Sequence, residues 1–269
     1  GWRGSPKKLD EPQHKAKGKI TTRLLKLMNI DFCVLRKAED LPKIKKLIKK
    51  AYDKKKIIAC LVEKGTFETK KKKIKKVRNK FILRSEFLKE FLNLIPKNSK
   101  IISTTGYTSR ELMEVRQKNN NKNGQDFYMV GGMGHSSSVA SGYALSSNKK
   151  VFCLDGDGSV LMHLGALRTA GYLQNKNFKH IILNNNAHES VGGQPTHFDK
   201  INIDKFCKSI GYKNYYKIKK KIYLKEKLNK LIKSSGPSLL EVKINNISIK
   251  NLSRPKNLIS FFLEKSNNS

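Results

Sequence analysis

Residues 151–159 read VFCLDGDGS, and residues 180–187 read HIILNNNA. Each stretch opens as a short apolar run and ends in small or oxygen-bearing residues. Apolar runs of that length predict buried strands, and the polar residues behind them predict loops at the strand ends. Asp157 and Asn185 then stand at two strand ends, 28 positions apart, about the length of one strand–helix–strand excursion. Such an excursion returns a carboxylate and a carboxamide to the same edge of a parallel sheet. Two hard oxygen ligands placed in this way suit Mg²⁺, which usually shares its site with a diphosphate. Gly156 and Gly158 let the backbone approach a phosphate closely, and Ser159 with the following helix N-terminus can donate to it. A single GDG would be an ordinary turn. The pair, in this strand context and at this spacing, is what carries the reading.

The alternation extends outward from these loops. Residues 86–94 read as a helix ended by Pro96, and Ile101-Ile102 begin a strand that runs into Thr104-Thr105-Gly106. A glycine-rich turn, Gly131-Gly132-Met133-Gly134, opens a small-residue helix over 136–145. Helices follow at 161–174 and 223–233, and strands at 180–183 and 239–244. The order predicts an α/β fold, a doubly wound and mostly parallel sheet with helices on both faces. In such a sheet the loops after residues 103, 154 and 183 converge at the carboxyl edge. Upstream, residues 1–17 read as loop, 19–29 as a helix, 30–35 as a strand, 40–53 as a helix capped by Asp40, and 57–62 as a buried strand. This predicts a partial second α/β domain over 1–68. The charge block TKKKKIKKVRNK at 69–80 predicts a basic linker over 69–82, and 83–269 forms the metal- and diphosphate-binding domain.

The formal net charge is +36. A nucleic-acid binder would put such an excess on one face. Here it is mostly Lys, scattered along the whole chain, without a helix-turn-helix, zinc-finger or aromatic RNA-binding pattern, so nucleic acid is not the expected partner. A positive field of this size does attract a small anionic substrate. The four cysteines are widely spaced with no CxxC, which argues against zinc. Cys33, Cys60 and Cys153 lie in apolar runs and read as buried small hydrophobes, which fits a reducing, cytoplasmic compartment. No apolar run is long enough to span a membrane. The chain does not begin with Met and has no signal-peptide pattern, and a fragment or a processed chain is expected.

GDG followed at a distance by NN resembles the motif of thiamine-diphosphate enzymes. Three further segments resemble the phosphonopyruvate decarboxylases among the thiamine-diphosphate-dependent 2-oxo acid decarboxylases. They are residues 103–111 (STTGYTSRE), 130–135 (VGGMGH) and, most specifically, 183–196 (LNNNAHESVGGQPT). The resemblance runs from about residue 83 onward and weakens after 200. It implies the thiamine-diphosphate-binding fold and a role for each matching residue. Asp157, Asn185 and the Ala187 carbonyl would hold Mg²⁺. Thr105, Thr108 and Ser159 would contact the diphosphate beside Gly156 and Gly158. Met133 would be the wedge under the bent cofactor, and the Gly131 carbonyl would face its aminopyrimidine. His135 and His188 are implied on the substrate side. Asn186 departs from the family's usual Gly, but Asn tolerates positive φ.

Residues 1–4 (GWRG) and 10–14 (DEPQH) resemble the tail of the family's pyrimidine-binding domain, and 57–67 its last strand and exit. Trp2 reads equally as a core aromatic. The family's activating glutamate lies earlier in that domain, and no acidic residue here stands in the matching context. The expectation is a fragment, or one piece of a split enzyme, whose activity alone is doubtful. The implied reaction is decarboxylation of phosphonopyruvate to phosphonoacetaldehyde and CO₂. The alternatives are a sulfopyruvate decarboxylase subunit and a non-catalytic cofactor-binding domain. A homo-oligomer or a complementing pyrimidine-domain chain is the implied partner.

Overall fold

The computed structural model describes residues 1–6, 8–68, 81–118, 125–249 and 251–254. The basic segment 69–80 lies outside the described residues. The chain divides into two compact units, Gly1–Ile74 and Lys75–Ser269.

In the first unit, helix α1 (Pro12–Leu27) is followed by strand β1 (Asp31–Leu35), helix α2 (Leu41–Lys54) and strand β2 (Ile58–Val62), and the two strands pair in parallel. Helix α1 begins well before residue 19, inside the stretch expected to be loop. Pro12 sits in its first turn, where a missing N–H costs nothing. Asp40 stands at the N-cap of α2, but its side chain turns back to the Arg36 and Lys37 amides rather than capping the helix. Asp10 explains why the N-terminal residues belong together. Its carboxylate accepts from the Arg3 guanidinium, the amides of Gly4 and Glu11, and faces His14 Nδ1 at 3.0 Å. Trp2 is buried, with its indole N–H donated to the Gly18 carbonyl. Of the three cysteines expected to be buried, only Cys153 is fully so. Cys33 is half-buried and Cys60 is exposed, because β2 has only β1 beside it among the described residues.

The second unit is built on a six-stranded sheet. Helix α3 (Arg84–Leu94) precedes β3 (Lys100–Ser103), α4 (Tyr107–Lys118), β4 (Gln125–Tyr128), α5 (Ser136–Leu145) and β5 (Val151–Gly156). Then follow α6 (Asp157–Met162), α7 (Ala166–Leu173), β6 (Phe178–Asn184), α8 (Ile203–Ser209), β7 (Asn214–Ile218), α9 (Leu224–Lys233) and β8 (Ser238–Lys243). The strand order is β4-β3-β5-β6-β8-β7, and every pairing is parallel. Alternate strand residues feed two separate cores, as the period of two requires. Ile101, Phe152, Leu154, Ile181 and Leu240 join α3, α4 and α9 on one face. Ile102, Cys153, Phe178, Ile182 and Leu239 join α5, α7 and α8 on the other. The sheet is therefore doubly wound, as its alternating elements predict.

A second predicted element also differs. The helix expected over 161–174 is two helices: α6 starts at Asp157 itself, and α7 starts at Ala166. The break falls at His163–Gly165, where His163 leaves helical geometry (φ −144°, ψ 54°). The winding also reverses between β3 and β5. The chain leaves β3 for β4 on one side and returns to β5 on the other, which opens a crevice at the carboxyl ends of these two strands.

Candidate active site

That crevice holds a cleft of about 440 Å³. Each of the three expected loops contributes to it. The end of β3 supplies Thr104 and Thr105, and the first turn of α4 supplies Tyr107 and Thr108. The end of β5 supplies Gly156, Asp157, Gly158 and Ser159, and the loop after β6 supplies Asn185, Ala187 and His188. Met133 enters from the glycine-rich turn. Gly131 and His135 are not among the lining residues. Gly131 sits at φ 74°, and His135 is exposed and packs edge-on against His163, with ring centroids 4.7 Å apart.

The loop after β6 closes on itself, which fixes its polar atoms. Ala187 bridges Pro195, the His188 amide donates to the Gln194 carbonyl at 2.8 Å, and the Thr196 amide donates to the Asn186 carbonyl at 3.2 Å. Asn186 occupies the left-handed region at φ 56°, which its residue type allows. The Thr196 hydroxyl reaches back to Asp157 Oδ2 at 2.5 Å. Asn185 Oδ1 accepts the Ala187 amide at 3.1 Å, and its Nδ2 donates to Glu189 Oε2, also at 3.1 Å.

Asp157 is 2% exposed. Burial pushes its carboxyl above the ordinary range, and the Thr196 hydroxyl, backbone amides and Lys243 only partly reverse this. A buried carboxylate that forms no ion pair among the described residues, opening on a cleft that also presents an amide oxygen and a carbonyl, matches a hard divalent ion. A Cβ at Gly158 would lie 2.5 Å from His188 Nδ1, so any side chain there would displace the histidine that closes this wall. Ser159 is buried and ties two loops together: its hydroxyl accepts the Gly134 amide at 3.0 Å and lies 2.9 Å from the Thr104 hydroxyl. Under the loop, Asp155 Oδ1 accepts the Gly156 amide at 3.0 Å, and Oδ2 lies 3.4 Å from His180 Nε2. Burial alone would raise Asp155, but His180, Ser159 and Ser136 hold it below the ordinary carboxylate range.

The sequence did not point to Arg84 or Glu189. Arg84 opens α3 and is buried between two acids. Its Nη1 donates to Glu111 at 3.0 Å and its Nη2 to Glu189 at 2.8 Å. Glu189 also accepts from the Ser248 hydroxyl. Both Arg84 and Glu189 line the cleft. Glu189 lies within the 183–196 segment but had no role attached to it, and nothing around Arg84 in the sequence marks it out.

The family model for the C-terminal TPP binding domain of thiamine pyrophosphate enzymes matches residues 104–242. The phosphonopyruvate decarboxylase of Streptomyces viridochromogenes is 30% identical over 272 residues, covering 95% of this chain and 67% of that protein. The chain belongs to the thiamine pyrophosphate-dependent decarboxylase family. Among the relatives of this decarboxylase, the sulfopyruvate decarboxylase subunit beta of Methanocaldococcus jannaschii is 39% identical over 129 residues, 48% of this chain and 66% of that subunit. The fold has a solved counterpart in a thiamin diphosphate-dependent enzyme from Mycobacterium smegmatis, with a TM-score of 0.50 and 19% identity over 61% of this chain and 32% of that one. Among the described residues, no helix is long and apolar enough to cross a membrane.

Proposed function

We propose that this decarboxylase acts on phosphonopyruvate, giving phosphonoacetaldehyde and CO₂, with thiamine diphosphate held through Mg²⁺ in the cleft between β3, β5 and β6. The observation that carries this is the meeting of Asp157, Asn185 and Ala187 with the Gly156–Ser159 turn in one cleft. When bound, thiamine diphosphate supplies the nucleophilic carbon and the electron sink that a 2-oxo acid needs in order to lose CO₂. This chain's own residues bind and orient. Asp157, the Asn185 amide oxygen and the Ala187 carbonyl would hold the metal. Thr105, Thr108, Gly156, Gly158 and Ser159 would cradle the diphosphate, Met133 would support the cofactor's bend, and the Gly131 carbonyl would face its ring. His188, at the wall of the cleft, is the better placed of the two histidines to meet substrate, and His135 would act from the rim.

The choice of phosphonate is supported by the extent of the match. The Streptomyces enzyme aligns with 95% of this chain, the first unit included, whereas the methanogen subunit aligns with 48%. The higher identity of the latter supports a second reading, a sulfopyruvate decarboxylase subunit that works with a complementing chain. A homo-oligomer, or such a complementing pyrimidine-domain chain, is the partner in either reading. The domains run 1–68, 69–82 and 83–269 in this proposal, and a cytoplasmic location fits the free cysteines. The net charge of +36 suits either anionic substrate.

The test is a side-by-side assay of CO₂ release from phosphonopyruvate and sulfopyruvate with thiamine diphosphate and Mg²⁺, with and without a pyrimidine-domain chain from a relative. Turnover of phosphonopyruvate in clear preference supports the proposal. Preference for sulfopyruvate selects the second reading. Cofactor binding without turnover of either substrate in the complemented protein leaves a non-catalytic domain.

A further inference from the structure

Cys33 lies at the centre of β1 and Cys60 at the centre of β2, and the parallel register sets them opposite one another. In-register residues of adjacent strands share a face of the sheet, and adjacent strands run about 4.8 Å apart. That separation lies inside the Cα range of about 4.4–6.8 Å that a disulfide spans. The flanking pairs Phe32–Ala59 and Val34–Leu61 point to the other face, so the two thiols meet without a bulky residue between them. We propose that Cys33 and Cys60 form a dithiol site that reacts with low-molecular-weight disulfides and closes to an intramolecular disulfide.

Exposure assigns the two roles. Cys60 is the exposed member and Cys33 the half-buried one, so a small reagent meets Cys60 first. Burial pushes the Cys33 thiol up, and its Cys60 neighbour pushes it further. Cys33 is therefore the less nucleophilic of the two. The Cys60 thiolate attacks one sulfur of R–S–S–R. The external S–S bond breaks, and the departing thiolate takes up the proton Cys60 gave to solvent. Cys33 then loses its proton and attacks Cys60 Sγ, and the second thiolate leaves. Two protein thiols are oxidised and one external disulfide is reduced to two thiols. A bond at such an exposed position is readily reopened by excess thiol, so under reducing conditions the site rests as the dithiol. Cys153 and Cys207 are buried, and burial raises both thiols, Cys207 to about 12. They are unreactive internal controls.

The experiment treats the full chain with oxidised glutathione under native conditions and maps the cysteine peptides by mass spectrometry. The expected product is a Cys33–Cys60 cross-link, lighter than the reduced pair by two hydrogens, with Cys153 and Cys207 still free and both thiols recovered on adding excess glutathione. Cys33→Ser should strand a glutathionyl group on Cys60, and Cys60→Ser should react many-fold more slowly. The wild-type map decides the matter even if a variant folds poorly. A stable glutathione adduct on Cys60 without cross-linking, no reaction at Cys60, or equal labelling of all four cysteines overturns the proposal.

Discussion

The Asn185 side-chain amide donates to Glu189 Oε2 at 3.1 Å, and Arg84 holds that same oxygen at 2.8 Å. With its nitrogen committed to Glu189, the Asn185 carboxamide is fixed in one orientation, and its oxygen is left on the side of the Ala187 amide and the cleft. Partners that orient a metal ligand typically contribute about 10–100-fold in metal affinity. Glu189→Ala should weaken Mg²⁺ binding in the presence of thiamine diphosphate by roughly tenfold or more, and Glu189→Gln by less, because it keeps an acceptor for Asn185. Calorimetric Mg²⁺ titration checks this. Equal affinities in all three proteins would remove Glu189 from the site's support.

Lys179 gives a stability prediction with a definite sign. It lies in β6 with its Nζ donated to the carbonyls of Ser234 and Lys176. Burial first, and Lys150 second, push its ammonium down to about 8, whereas an unfolded Lys titrates near ~10.4. Between those values the unfolded chain binds more protons, so this residue's contribution to stability rises with pH from about 8 to about 10.4, and its penalty is complete below about 8. Lys179→Met removes that penalty. The gap in thermal midpoint between variant and wild type should shift in the wild type's favour as pH rises from ~7 to ~10. A gap independent of pH contradicts the assignment.

Two helical glycines predict opposite outcomes. A Cβ at Gly142 in α5 meets nothing within 4 Å, while one at Gly171 in α7 would lie 2.0 Å from the Ile210 carbonyl oxygen. Gly142→Ala should stabilise by about 0.5–1 kcal/mol through reduced backbone entropy. Gly171→Ala must push apart α7 and the turn after α8, and should destabilise by about 1–3 kcal/mol. Urea unfolding of the three proteins separates these outcomes, and a neutral Gly171→Ala would mean that the α7 packing is looser than described.

How far the sequence could be read depended on how strongly each element is patterned. The central strands are apolar on both faces, so β5 and β6 were legible, and with them the positions of Asp157 and Asn185 at the strand ends. The helix α4 leaves no clear sequence signal, because Tyr107–Lys118 is mostly polar and buries only a stripe containing Leu112 and Val115. Strands β4 and β7 sit at the sheet edges, where polar residues are tolerated and the apolar signal fades. Residues 12–17 are polar and read as loop, yet the Trp2–Gly18 contact and a proline-initiated turn draw them into α1. Cys60 looked buried because the run 57–62 is apolar, but a strand's burial depends on neighbours that its own sequence does not name. Arg84 joins the site from a distant element and is found only through Glu189 and Glu111, so nothing local to it could have signalled its part.

The central claim is that this cleft binds thiamine diphosphate through a metal held by Asp157. The most direct test is calorimetric titration of the full chain with thiamine diphosphate, with Mg²⁺ and with a metal chelator, for wild type and Asp157→Ala. Circular dichroism would confirm that both are folded. The account predicts binding by the wild type that requires Mg²⁺, and no measurable binding by the folded variant under either condition. Equal binding with chelator, or an Asp157→Ala protein that binds as well as wild type, would contradict it.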